Sequence, residues 1–79
     1  MLVDDEQSAL DTLTYLLKDY PDVEIACAST DSVAALEALD RTEIDALFLD
    51  IEMPVLSGVD FCERVKDAHP GIAIVFTTA

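Results

Sequence analysis

Asp4 and Asp5 stand side by side just after the apolar stub Met1-Leu2-Val3, and Asp50 closes the apolar run Ala46-Leu47-Phe48-Leu49. Thr77 and Thr78 follow a third apolar run, 72 to 76. If the first and third of these strands are neighbours, the three carboxylates share one crevice with the threonines on its rim. Two carboxylates ~4 Å apart repel by roughly 4 kcal/mol at an effective dielectric near 20. Such a set either holds protons or holds a cation. All-oxygen donors with room for water suit Mg²⁺. Beside a cation, Asp50 could attack phosphorus as a nucleophile and form an aspartyl phosphate. The metal would offset the charge of the transferred group, and a hydroxyl on the neighbouring strand could donate a hydrogen bond to it. The loop Glu52-Met53-Pro54 brings main-chain carbonyls and amides close by.

Each signal also has an ordinary reading. Asp4 and Asp5 could cap the first helix and favour its positive end. Asp50 could be a solvated strand-end residue, and threonine is a common β-former. Joint placement at the same end of three strands is what favours chemistry.

The elements that must position these groups alternate along the chain. Leu10, Leu13, Leu17 and Tyr20 recur at three- and four-residue steps, the period of a helix with one buried face, which Pro21 ends. Residues 23 to 28, VEIACA, are predicted as a second strand. Asp31 is placed to cap a helix carrying Val33, Leu36 and Leu39. The third strand is predicted over 44 to 51, apolar on both faces as a covered central strand should be. Ser57-Gly58-Val59-Asp60 has capping-box spacing and opens a helix with Val59, Cys62 and Val65 inward. His69-Pro70-Gly71 closes that helix, with His69 read as a cation at its negative end, and 72 to 76 form a fourth strand. The alternation means an α/β fold, a doubly wound parallel sheet built of βαβ units. In such sheets chemistry gathers beyond the carboxyl ends of the strands.

Bulk properties narrow the classes. The 79 residues bound the chain to one small domain, with a low buried fraction. A net charge of −13, from 17 acidic and 4 basic residues, argues against direct nucleic-acid binding and against anionic membrane surfaces. It favours cations and basic partners. Cys27 and Cys62 lack metal or redox spacing and read as free thiols, which fits a reducing compartment. The start MLVDDE has neither a basic region nor a long apolar stretch, so no signal peptide or membrane span is expected, and a cytoplasmic location is the default.

These residues resemble the receiver domain of two-component response regulators. The resemblance rests on Asp4-Asp5, on Asp50-x-x-Met53-Pro54-x-x-x-Gly58, and on Thr78-Ala79, and it runs the length of the chain. The wording FLDIEMP with IVFTTA is similar to the subgroup whose regulators carry a LytTR-type DNA-binding domain. The resemblance implies a flavodoxin-like sheet of order 2-1-3-4. It implies that Asp50 accepts a phosphoryl group from a sensor histidine kinase in a Mg²⁺-dependent reaction. Asp5, Asp50 and the main-chain carbonyl of Glu52 would ligate the metal, with Asp4 acting through water. Thr78 would be the switch hydroxyl, and Met53, Pro54 and Gly58 would shape the loop. The conformational switch would control an output, transcription in that subgroup.

The family pattern continues past residue 79 with a fourth helix, a fifth strand bearing a lysine, and a fifth helix. Residues 1–79 are therefore expected to be a partial receiver domain, open to self-association along the 72 to 76 edge. Two other readings stay open. One is a receiver-like binding module that is never phosphorylated. The other is a fragment of a haloacid-dehalogenase-type phosphatase, with Asp50 as nucleophile and Glu52 as the second acid.

Overall fold

The computed structural model describes residues 1–53 and 56–77, in which four strands and three helices alternate. They are β1 (Leu2–Val3), α1 (Gln7–Leu17), β2 (Ala28–Ser29), α2 (Ser32–Leu39), β3 (Ala46–Asp50), α3 (Gly58–Ala68) and β4 (Ala73–Thr77). The strands form one parallel sheet of order β2-β1-β3-β4. Leu2 lies opposite both Ala28 and Phe48, and Asp50 lies opposite Thr77.

The alternation of side chains along a strand sorts the core into two faces. Val3, Leu47 and Leu49 project onto one face and pack with Ala35 and Leu39 of α2 and Phe61, Cys62 and Val65 of α3. Phe61, Leu47 and Leu49 are fully buried. On the other face α1 covers β1, burying Leu10 and Leu2, while Phe48 stays half-buried. The central strand is thus covered completely on one side and partly on the other.

Capping residues set the helix entries. The Asp31 carboxylate accepts from the amides of Val33 at 2.9 Å and Ala34 at 3.3 Å, as its position before α2 predicts. Ser57 Oγ accepts from the Asp60 amide at 3.2 Å, so the serine half of the predicted capping box forms.

Several expectations are corrected. The second strand spans only Ala28–Ser29, facing Leu2 and Val3; the Cys27 carbonyl still accepts from the Leu2 amide at 2.9 Å, and residues 23–26 face no strand among the described residues. Tyr20 lies beyond the end of α1, which stops at Leu17, and is exposed. Val33 and Val59 point to solvent; the inward faces of α2 and α3 belong instead to Ser32, Ala35 and Leu39, and to Gly58, Phe61, Cys62 and Val65. Both valines occupy the first turn of a helix whose inward stripe begins one residue earlier. His69 does follow α3, but its ring Nε2 sits 3.2 Å from an Asp40 oxygen just after α2. Cys27 and Cys62 are free, as expected.

Candidate functional site

The parallel sheet carries the end of β1 and the end of β3 to the same edge. Asp4 directly follows β1, and Asp50 is the last residue of β3. Asp4, Asp5 and Asp50 each present a carboxylate oxygen within 4.8 Å of the other two. Asp4 and Asp50 are buried, at 8% and 7% exposure, while Asp5 opens to solvent. The sequence-based crevice is therefore present, with one wet ligand and two dry ones.

Main-chain amides hold the two buried carboxylates. Asp4 Oδ1 accepts from the Glu6 amide at 3.0 Å, and Asp50 Oδ1 accepts from the Glu52 amide at 3.2 Å. Each is a short turn closed by the side chain two residues back. The capping alternative for the acidic pair does not hold at the N-cap: that position is Glu6, and it makes no side-chain cap bond. Burial raises the Asp50 carboxyl above its ordinary value; the Glu52 amide pulls it down, and the charges of Asp4 and Asp5 push it up again.

Two loop residues are explained by packing. Met53 is buried at 8% exposure and joins the core, which pins the chain three residues after Asp50. Gly58 opens α3 against β3, its amide donating to the Ile51 carbonyl at 2.8 Å. A Cβ at position 58 would lie 2.6 Å from Ile51 Cα and would overlap the Asp50 carbonyl oxygen, so only glycine permits this approach. Glu52 is exposed beside the cluster. Thr77, at the end of β4, is half-buried and in register with Asp50. Pro54 and Thr78 lie outside the described residues.

The cluster is legible in the sequence, but the residues that anchor it are not. Nothing marked Met53 as a core residue except its apolar character after Asp50-Ile51-Glu52. Phe61, whose full burial holds α3 on the sheet, was overlooked although it lies one turn after Ser57. As a donor set, three carboxylates offering one oxygen each fit a hard divalent cation.

A flavodoxin-like α/β sheet of order 2-1-3-4 with an acidic crevice at its carboxyl edge defines the class of protein. The model of the response regulator receiver domain matches residues 1–79, and the chain belongs to that family. It is 38% identical over 79 residues, all of this chain and 33% of the relative, to the transcriptional regulatory protein BtsR of Salmonella typhi. It is 35% identical over 78 residues, 99% of this chain and 22% of the relative, to protein-glutamate methylesterase/protein-glutamine glutaminase 1 of Rhizobium johnstonii. The chain thus spans a fifth to a third of such relatives. Among solved structures, the response regulatory domain of protein mrkE from Klebsiella pneumoniae superposes with a TM-score of 0.86 at 33% identity, over 100% of this chain and 67% of that one. The isolated REC domain of RcsB from Salmonella enterica serovar Typhimurium shares the fold, with a TM-score of 0.92 at 22% identity, over 98% of this chain and 58% of that one. Among the described residues, no helix is long and apolar enough to cross a membrane.

Proposed function

We propose that this chain is the phospho-accepting receiver of a two-component signalling system, with Asp50 as the acceptor. The observation that carries the reading is the placement of a buried Asp50 at a strand end, with Asp4 and Asp5 within 4.8 Å. An Asp50 oxygen attacks the phosphorus of a kinase phosphohistidine, the P–N bond breaks, and the imidazole nitrogen keeps the electron pair. Mg²⁺ would be held by Asp5, Asp50 and the main-chain carbonyl of Glu52, with Asp4 acting through water. When bound, it neutralises charge on the carboxylates and on the incoming phosphoryl oxygens.

The chain's own residues orient the acceptor. The Glu52 amide fixes one Asp50 oxygen, leaving the other to react. The contact with Gly58 sets the position of the Asp50 main chain, and Met53 ties the following loop to the core. Thr78 would donate its hydroxyl to the phosphoryl group and change position with it, as the family resemblance implies. The partner is a sensor histidine kinase and the setting is cytoplasmic. The output is transcription, through a DNA-binding domain of the LytTR type, a reading supported by the 38% identity to a transcriptional regulatory protein.

Family membership sets aside the haloacid-dehalogenase alternative. The unphosphorylated-module reading is separated by measurement. Incubation with acetyl phosphate and Mg²⁺ should load one phosphoryl group on the chain, and chelation of the metal should abolish loading. Absence of loading on folded protein, steady release of phosphate from a phosphomonoester, or loading that is unaffected by chelation, overturns the proposal.

A further inference from the structure

The ends of α2 and α3 come together on the covered face of the sheet. His69 Nε2, at the C-cap of α3, sits 3.2 Å from Asp40 Oδ1, at the C-cap of α2. Both main chains are fixed before these side chains meet. The His69 amide donates to the Val65 carbonyl at 2.6 Å, and the His69 carbonyl accepts from the Ile72 amide at 3.2 Å, closing the Pro70-Gly71 turn. On the other side the Asp40 amide donates to the Glu37 carbonyl at 3.3 Å, and the Arg41 amide to the Ala38 carbonyl at 3.1 Å.

Asp40 is otherwise badly placed. A carboxylate at a helix C-terminus faces the negative end of the dipole, and the last turn of α2 holds no basic residue to offset it. Among the described residues, no lysine or arginine pairs with Asp40. His69 is the one histidine of the chain, and it meets this carboxylate. Protonated, the ring is a cation set against a carboxylate and two negative helix ends; neutral, it offers a single hydrogen bond.

The surroundings add little of their own. Glu37 and Arg41 at the end of α2, Glu43 and Asp45 before β3, and Lys66 and Asp67 in α3 are all exposed, and β4 carries no charged residue. Asp40 is the charged side chain in contact with the ring.

We propose that His69 and Asp40 form a proton-dependent clasp between α2 and α3, closed as an ion pair when the ring is protonated and loosened when it is neutral. Its contribution to stability is present at acidic pH and is lost as pH rises through the range in which histidine gives up its proton. The clasp is independent of phosphoryl acceptance, since it uses neither the acidic crevice nor any residue of its loop.

The test is a double-mutant cycle in urea unfolding, with the parent, His69→Gln, Asp40→Asn and the double variant. The Met1 amine, held below its ordinary value by burial, is common to all four and cancels. With the ring 30% and the Asp40 side chain 73% exposed, the coupling should be about two- to fivefold in the unfolding constant at pH ~5.5. It should shrink as salt is added and fall toward one at pH ~8. A coupling that is equal at both pH values, larger at pH ~8 or absent throughout overturns the proposal. Amide exchange gives the local readout. Arg41 and His69, corrected for intrinsic rates, should lose protection between the two pH values in the parent but not in His69→Gln. The same loss in His69→Gln assigns the pH effect elsewhere and also overturns the clasp.

Discussion

Gly58 and Asp50 meet main chain to main chain: the first residue of α3 lies so close to the end of β3 that a Cβ at 58 would overlap the Asp50 carbonyl oxygen. The helix start and the acceptor are therefore one mechanical unit. Gly58→Ala must push backbone against backbone, which no rotamer change relieves. It should cost about 1–3 kcal/mol in urea unfolding, and phosphoryl loading of the fraction that remains folded should fall. A fully stable Gly58→Ala protein would show that the two elements are free to separate.

The acidic crevice should make the metal a stabiliser. Carboxylates that repel in the ion-free fold bind a cation only when folded, so Mg²⁺ at ten times its dissociation constant should add about 1.4 kcal/mol. Asp5→Asn should remove most of this gain, and thermal melts with and without Mg²⁺ read it directly.

The raised Asp50 carboxyl fixes the sign of a pH effect. Below its ordinary value of 3.8 the group is protonated in folded and unfolded chains alike and costs nothing. As pH rises through 3.8 toward the raised folded value, the unfolded chain ionises first and stability is lost. Without divalent cations, Asp50→Asn should therefore be more stable than the parent at neutral pH. Burial of the carboxylate, together with the like charges of Asp4 and Asp5 within 4.8 Å, puts the difference on the order of 1–3 kcal/mol. The difference should close below pH 3.8, and one that widened toward acid would reverse the assignment.

The placement of the carboxylates was legible in the sequence because alternating strands and helices send every parallel strand end to one edge. Asp4, Asp5 and Asp50 needed only their positions after apolar runs to be brought together. What escaped was local. Residues 23–27 have the composition of a strand, yet a strand exists only where a partner ladder faces it, and the ladder to Leu2 and Val3 spans only Ala28 and Ser29. Val59 has the right character for the core, but the helix starts at Gly58 because that residue must face β3, and this turns Val59 outward. Composition reports what a residue tolerates; docking decides which way it faces.

Acceptance of the phosphoryl group by Asp50 is read out by peptide-mapped mass spectrometry after incubation with acetyl phosphate and Mg²⁺. A single phosphoryl adduct is expected on the peptide containing Asp50, absent from Asp50→Asn. An adduct on any other residue, or none on folded, Mg²⁺-bound protein, would contradict it.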